Sequence, residues 1–246
     1  MRCGSDGKGL SHWPLLAKRS YRQSAVSPET GDGRPETLVS SLHSGSWKMI
    51  ADCRSLGLQM RVIAGKAKGR RLGVPKRKGV RPTSDYLREA LFDILGSSIR
   101  GVRFLDLYAG SGAVGIEALS RGSAEVVFLE QDPGCLRALR ENLEIVGLGS
   151  RRVIAGDVLR VLPRLVRQGE GFDMIFLDPP YGTGLAGRTL SAVASGDLLR
   201  PHGRVIVEHF AKEPLPPDIG RLRRVREKKH GQTMLTFYER TSEGDR

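Results

Sequence analysis

Cysteine is scarce in this chain of 246 residues, and the few cysteines are far apart. Cys3, Cys53 and Cys135 have none of the close paired spacings that a structural zinc site or a thiol redox motif requires. Nothing else in the sequence implies a metal. A reducing, cytoplasmic setting is the one that such sparse cysteine favours.

Long apolar runs are also missing. No stretch approaches the roughly 20 apolar residues that a membrane-spanning helix needs, and the first residues lack the apolar core of a signal peptide. We therefore expect a soluble protein that is not exported.

Acidic residues are too few to balance the basic ones. The chain has 40 Lys and Arg against 27 Asp and Glu, which leaves a formal net charge of +13. Between residues 60 and 100 there are 11 basic residues and three acidic ones, so this segment carries +8 of the excess. The balance favours a polyanion as partner, although a merely soluble basic surface would have the same composition.

The pattern of the chain changes at residue 60. Residues 1–59 have no sustained apolar period, and we predict a disordered extension or a start placed too far upstream, with a targeting or RNA-binding arm as the alternative. In 60–100, strand-like stretches at Met60–Ala64 and Arg71–Val74 and an amphipathic helix capped by Thr83 or Ser84 predict a basic hairpin and a helix. Residues 101–240 form the main domain, and 241–246 a tail.

Strands and helices alternate in the main domain, which predicts a parallel sheet covered on both faces. The clearest helix lies between the second and third of these strands, with Asp132 as cap, Pro133 in its first turn and Gly147 at its end. The last two strand-like stretches, Leu222–Glu227 and Met234–Tyr238, predict an antiparallel hairpin that closes the sheet. The other predicted strands are Arg103–Leu107, Glu125–Glu130, Arg152–Ala155, Asp173–Leu177 and Arg204–Glu208.

A glycine-rich loop follows the first of these strands, in the segment Asp106-Leu-Tyr-Ala-Gly110-Ser-Gly112-Ala-Val-Gly115. Glycines let the backbone approach a ligand closely, and the start of the next helix offers free N–H groups. The same spacing satisfies the dinucleotide fingerprint, so the loop alone does not separate NAD from S-adenosylmethionine.

Two carboxylates follow the next strands at the same predicted sheet edge. Glu130 ends its strand 20 residues after Gly110, where it can accept hydrogen bonds from both ribose hydroxyls of a nucleoside. Asp157 can accept from an adenine amino group, but an Asp after a glycine is also a common helix cap.

The motif Asp178-Pro179-Pro180-Tyr181 follows the buried run Met174–Leu177. Two prolines fix the backbone and remove donors, so the site is rich in acceptors. Acceptors hold the two N–H bonds of an exocyclic amine and direct its nitrogen, while Tyr181 offers a face for an extruded base. A purely structural Pro-Pro turn is the alternative.

Together these residues resemble the bacterial 16S rRNA guanine-N(2) methyltransferases of the RsmD type. The resemblance includes Arg81-Pro-Thr-Ser-Asp85 and Arg88-Glu89-Ala-Leu-Phe92 and covers about residues 60–240; residues 1–59 match nothing in that family. It implies an α/β, Rossmann-like class I methyltransferase fold with a seven-stranded sheet, S-adenosylmethionine as cofactor, and a guanine in 16S rRNA of an assembling or assembled small ribosomal subunit as acceptor. We expect a monomer.

The resemblance also implies roles for individual residues. Asp106, Gly110 and Gly112 would line the methionine end of the cofactor, Glu130 its ribose and Asp157 its adenine. The target guanine would be held by Asp178, Pro179, Pro180 and Tyr181. Phosphates would be bound by Lys66, Lys68, Arg70, Arg71, Arg81, Arg88 and the lysines at 76 and 78, although any single residue of this kind is more often just a solvated charge.

Three other functions remain open at this stage. An NAD-dependent oxidoreductase is supported by the glycine loop and Glu130 alone. A non-catalytic RNA-binding or assembly factor has no physical reason to keep an acceptor-lined pocket. A DNA or RNA adenine-N6 methyltransferase would use the same four-residue motif.

Overall fold

The computed structural model describes residues 59–75 and 85–241. The predicted N-terminal extension, the capping residues Thr83 and Ser84, Arg81, and the lysines at 76 and 78 lie outside the described residues. Among the described elements, no helix is long and apolar enough to span a membrane.

The described chain forms ten strands and five α-helices, and strands alternate with helices only in its middle part. In chain order they are β1 (Gln59–Arg61), β2 (Arg71–Gly73), α1 (Asp85–Leu95), β3 (Arg103–Leu107), α2 (Ala113–Arg121), β4 (Glu125–Glu130), α3 (Pro133–Val146), β5 (Ser150–Ala155), α4 (Val158–Arg167), β6 (Phe172–Leu177), α5 (Leu185–Ser195), β7 (Leu199–Phe210), β8 (Asp218–Ile219), β9 (Leu222–His230) and β10 (Thr233–Arg240).

One large sheet has the strand order β5-β4-β3-β6-β7-β10-β9-β8. The first five of these strands are parallel to one another, whereas β10, β9 and β8 pair antiparallel. The predicted parallel sheet and its closing hairpin are therefore confirmed. The predicted count of seven strands is too low by one, because Asp218–Ile219 pairs with Leu222 and Arg223 over only two residues, too few to show an alternating pattern.

The strand that begins at Leu199 is longer than predicted. Pro201 and Gly203 interrupt its apolar pattern, His202 has a positive φ of 60°, and the register with β6 shifts at this point. Because of these irregularities, the sequence analysis did not predict the first five residues of the strand. The helix that follows β4 agrees with the prediction, since Asp132 caps it and Gly147 ends it with φ 63°.

Two apolar clusters cover the two faces of the sheet. One joins α1, α2 and α3 to the sheet, and the other joins α4 and α5 to it. The predicted N-terminal hairpin is present as an antiparallel β1–β2 pair, and its Met60, Val62 and Leu72 are buried in the first cluster beside Phe104. The basic segment therefore shares the core of the main domain.

Candidate active site

A cleft of about 1040 Å³ opens at the carboxyl ends of the parallel strands. The last residues of β3, β4, β6 and β7 and the loops after them supply its polar wall, and the N-terminal segment supplies apolar side chains. Parallel α/β sheets bind their ligands at this edge, so the topology itself points to the cleft. Representative lining residues are Met60, Leu87, Asp106, Glu130, Asp178 and Tyr181.

The glycine loop connects β3 to α2 on one side of the cleft. Gly110 lines the cleft with φ 56°, and a Cβ there would meet nothing closer than 4.0 Å, so its open side faces the ligand space. Gly112 is not among the lining residues: it begins α2 with φ 83°, and a Cβ there would lie 2.3 Å from Leu139 Cδ1. Gly112 therefore serves the turn and the packing of α2, and the cofactor contact predicted for it stays a prediction.

Asp106 lies at the floor of the loop and is almost completely buried. One carboxylate oxygen accepts a hydrogen bond from the backbone N–H of Gly115 at 2.9 Å. Burial raises the pKa of Asp106 to about 8, and the nearby charges of Asp178 and Glu130 act in the same direction. A cationic group in the cleft would favour the ionised form of this carboxyl, as the predicted cofactor contact requires.

Glu130 ties the glycine loop to the end of β4. Its Oε2 accepts from the Gly110 N–H at 2.7 Å, and its Oε1 accepts from the N–H groups of Gln131 and Asp132, both at 2.8 Å. Burial raises the pKa of Glu130 above its ordinary value. Oε2 carries one of these three bonds and retains acceptor capacity on the cleft side, which suits a hydroxyl donor.

Asp157 caps α4, the alternative that its sequence context left open. Its Oδ1 accepts from the N–H of Arg160 at 3.0 Å. It lines a second, shallower depression beside the main cleft together with Gln131, Leu159, Arg160, Leu185 and Arg188. Gln131 lines both depressions, so Asp157 lies next to the main cleft but not in its lining. The contact of Asp157 with adenine stays a prediction.

The Asp178–Tyr181 motif follows β6, the strand next to β3, and lines the same cleft as the glycine loop. The Asp178 N–H donates to the carbonyl of Leu107 at 3.4 Å, which holds the motif beside the end of β3. All four residues of the motif line the cleft. Pro179 is buried, while Pro180 is exposed and its carbonyl accepts from the Thr183 hydroxyl at 2.6 Å. That carbonyl therefore already accepts one hydrogen bond, and the carboxylate of Asp178 is the charged acceptor of the motif.

Tyr181 is held by residues that the sequence did not single out. Its hydroxyl donates to Glu208 Oε1 at 3.0 Å and lies 3.1 Å from Thr233 Oγ1, and its ring stacks on Phe210 with centroids 6.1 Å apart. Burial and the charge of Glu208 raise the pKa of the Tyr181 hydroxyl well above its ordinary value. Glu208 could have been suspected, because it is a carboxylate at the end of a predicted buried strand; Thr233 gives no such signal.

A family model described as Conserved hypothetical protein 95 matches residues 60–239. The chain belongs to this family. Ribosomal RNA small subunit methyltransferase D of Escherichia coli is 34% identical over 187 residues, which are 76% of this chain and 93% of the relative. The protein of the same name from Haemophilus influenzae is 38% identical over 159 residues, 64% of this chain and 82% of the relative.

Solved structures are also similar to this chain, both in sequence and in fold. The protein yhhF of Escherichia coli is 33% identical with a TM-score of 0.65, over 76% of this chain and 100% of that chain. A hypothetical protein from Thermus thermophilus is 38% identical with a TM-score of 0.64, over 72% of this chain and 98% of that chain. The fold is the Rossmann-like fold of class I methyltransferases, as the sequence predicted.

Four of the predicted phosphate-binding residues are described by the structure outside the cleft lining: Lys66, Lys68, Arg70 and Arg71. The backbone N–H of Lys66 donates to the carbonyl of Ser120 at 2.8 Å, so the hairpin tip with Lys66 and Lys68 docks where α2 ends. The cleft lies where α2 begins. Arg70 donates to the carbonyl of Ile145, near the end of α3, and Arg71 is exposed. The phosphate contacts assigned to these four residues stay predictions.

Arg88 does not contact phosphate, contrary to the prediction. Its side chain is 0% exposed, because it lies on the same helix face as the core residues Leu91 and Phe92. It donates to Asp85 Oδ1 at 2.9 Å and to the carbonyl of Arg61 at 2.6 Å, and it lies 3.9 Å from Glu117 Oε2. A buried guanidinium needs such paired carboxylates, so Arg88 joins α1 to the hairpin instead of binding RNA.

Proposed function

We propose that this protein transfers a methyl group from S-adenosylmethionine to the exocyclic N2 amine of a guanine in 16S rRNA of the small ribosomal subunit. One observation carries the proposal: Asp178 and the glycine-loop residues Gly110 and Ser111 line a single cleft. The names of the relatives, ribosomal RNA small subunit methyltransferase D, support rRNA as the substrate.

The cleft suits the proposed cofactor by its chemistry. S-adenosylmethionine, when bound, supplies an activated methyl group on a sulfonium. Asp106 would hold the amino group of its methionine part, and Glu130 would accept from its ribose hydroxyls. Gly110 leaves room for a ligand next to the loop backbone. The buried carboxyls also favour a ligand with positive charge.

The acceptor side of the cleft suits a planar amine. The lone pair of such an amine is delocalised into its ring, so the nitrogen reacts well only if it is held and directed. The Asp178 carboxylate would accept one N–H of the amine and fix the nitrogen toward the methyl donor. After transfer the nitrogen becomes acidic, and its proton leaves to Asp178 or to water. Tyr181, fixed by Glu208 and Thr233, would stack on the extruded base.

Adenine-N6 methylation of DNA or RNA is the nearest alternative, because the same acceptors serve an adenine amine. An NAD-dependent oxidoreductase would leave the Asp178 motif without a role, since hydride transfer needs no acceptor for an amine. A non-catalytic assembly factor would leave the buried carboxyls of the cleft without a ligand.

The decisive experiment uses labelled S-adenosylmethionine with small ribosomal subunits from cells that lack this protein. After digestion, we expect the label in N2-methylguanosine of 16S rRNA. Label in N6-methyladenosine, or in DNA offered in parallel, would replace the guanine assignment, and no label in any substrate would refute the proposed function.

A further inference from the structure

An exposed aromatic pair lies at the mouth of the cleft. Tyr86, near the start of α1, stacks on His230 at the end of β9, with centroids 4.3 Å apart and planes inclined by 29°. Tyr86 is 58% exposed, and His230 is also exposed and lines the cleft. The two residues are distant in sequence, so the stack joins the N-terminal segment to the closing hairpin.

Basic side chains continue this surface along β9. Successive side chains of a strand alternate between the two faces, so Arg226, Lys228 and His230 share one face. Arg226 pairs in register with Phe237 and Lys228 with Leu235, and both partners are buried in the apolar cluster that contains α1. Arg226, Lys228 and His230 therefore point to the side of the sheet on which Tyr86 lies.

These cations are available to a ligand. Arg226 and Lys228 are exposed, and within the described residues neither forms an ion pair. Farther along the same strand, Arg223 is paired with Asp218 and Arg224 with Glu227. Positive charge without a partner thus concentrates at the end of β9 that adjoins the cleft.

We propose that Tyr86, His230, Arg226 and Lys228 bind the RNA strand beside the target base, an inference that rests on the proposed function. Extrusion of a base leaves its neighbour without a stacking partner, and an aromatic pair at the rim can replace that partner. Lys228 and Arg226 would contact the phosphates that follow. Stacking planes combined with unpaired cations are the features by which proteins bind single-stranded nucleic acid.

The test compares neighbouring residues on one strand. Lys228→Ala removes a charge on the proposed face, and Lys229→Ala removes an equal charge on the opposite face. Binding of deproteinised 16S rRNA is measured by fluorescence anisotropy at several salt concentrations. We expect Lys228→Ala to weaken binding and to reduce the salt slope by about 0.7 to 0.9, the value of one lost phosphate contact, with little change for Lys229→Ala. Equal effects of the two variants would overturn the proposal.

The aromatic pair is tested by a second set of variants. Tyr86→Ala should raise the KM for rRNA substrate about ten-fold and leave kcat and cofactor binding near the parent values, in line with the loss of one stacked base. Tyr86→Phe keeps the ring and should behave like the parent. An unchanged KM for Tyr86→Ala, or a loss seen with whole subunits but not with deproteinised RNA, would refute RNA contact at this surface.

The binding measurements do not depend on methylation. If the parent protein fails to methylate a guanine but Lys228→Ala still weakens RNA binding and Lys229→Ala does not, the proposed function fails and the RNA surface stands.

Discussion

The two halves of the cleft are built in different ways. The cofactor half comes from one continuous stretch: Asp106 bonds to Gly115, and Glu130 bonds back to Gly110, so each contact spans 20 residues or fewer. The acceptor half is assembled from distant segments. Tyr181 bonds to Glu208 and Thr233, 27 and 52 residues away, and Tyr86 stacks on His230, 144 residues away in the sequence.

This difference suggests that the two halves of the cleft have separate functions. A compact stretch encodes the contacts for an invariant small molecule, whereas the surface that receives a large substrate depends on the register of β7, β9 and β10. The two halves should therefore be separable by mutation: changes in one should alter cofactor binding, and changes in the other should alter turnover or RNA binding.

The largest effect is expected for Asp178→Ala. Loss of the charged acceptor of the motif should reduce turnover by about 100-fold or more, the usual size for a hydrogen bond that acts in the transition state. Cofactor affinity, measured by titration calorimetry, should stay near that of the parent protein. A variant that loses cofactor binding and turnover together would show that the two halves are not separable.

Glu130→Gln should have the opposite effect to Asp178→Ala, because it should weaken cofactor binding and leave turnover nearly unchanged. The amide keeps the shape of the side chain but places a donor where Glu130 accepts from Gly110 and from the proposed ribose hydroxyls. We expect cofactor affinity to fall about ten-fold, within the roughly 1 to 3 kcal/mol of an impaired polar contact, while turnover at saturating cofactor stays close to the parent value. Unchanged affinity in a folded variant would move the ribose contact to another residue.

Local spacing explains which features could be predicted. The boundaries of β3 and β4 agree with the sequence analysis because each is a short apolar run with a polar residue at the point where the chain turns. The burial of Arg88 could not be predicted, since its partner Glu117 lies on another helix and the composition of the segment indicated only charge. Lys66 and Lys68 were misleading for the same reason: charge can be counted in a sequence, but the docking of the hairpin tip on Ser120 cannot.

The cofactor half should also respond to pH through Asp106. The pKa of Asp106 is raised from 3.8 to about 8 in the folded protein, so the folded state holds this proton more tightly than the unfolded state. The contribution of the protonated carboxyl to stability is complete below about pH 4 and is lost as the pH rises toward 8. Asp106→Asn cannot ionise, so its stability relative to the parent protein should improve steadily between pH 5 and 8. Urea unfolding at each pH measures the difference, and parallel curves for the two proteins would contradict the shifted pKa.

The smallest effect is expected where the two halves meet, at Tyr108. This residue follows β3 with φ 62°, an uncommon conformation for an aromatic residue, and its hydroxyl lies 2.6 Å from the hydroxyl of Thr189 on α5. Tyr108→Phe removes one hydroxyl of the pair and leaves that of the fully buried Thr189, at a cost of about 1 kcal/mol in the free energy of unfolding. Thr189→Val should cost a similar amount, and the double variant should cost little more than either single one, because each change breaks the same hydrogen bond. Additive losses in a denaturant-unfolding cycle would mean that the two hydroxyls act independently and that packing of the ring alone holds Tyr108 in its strained conformation.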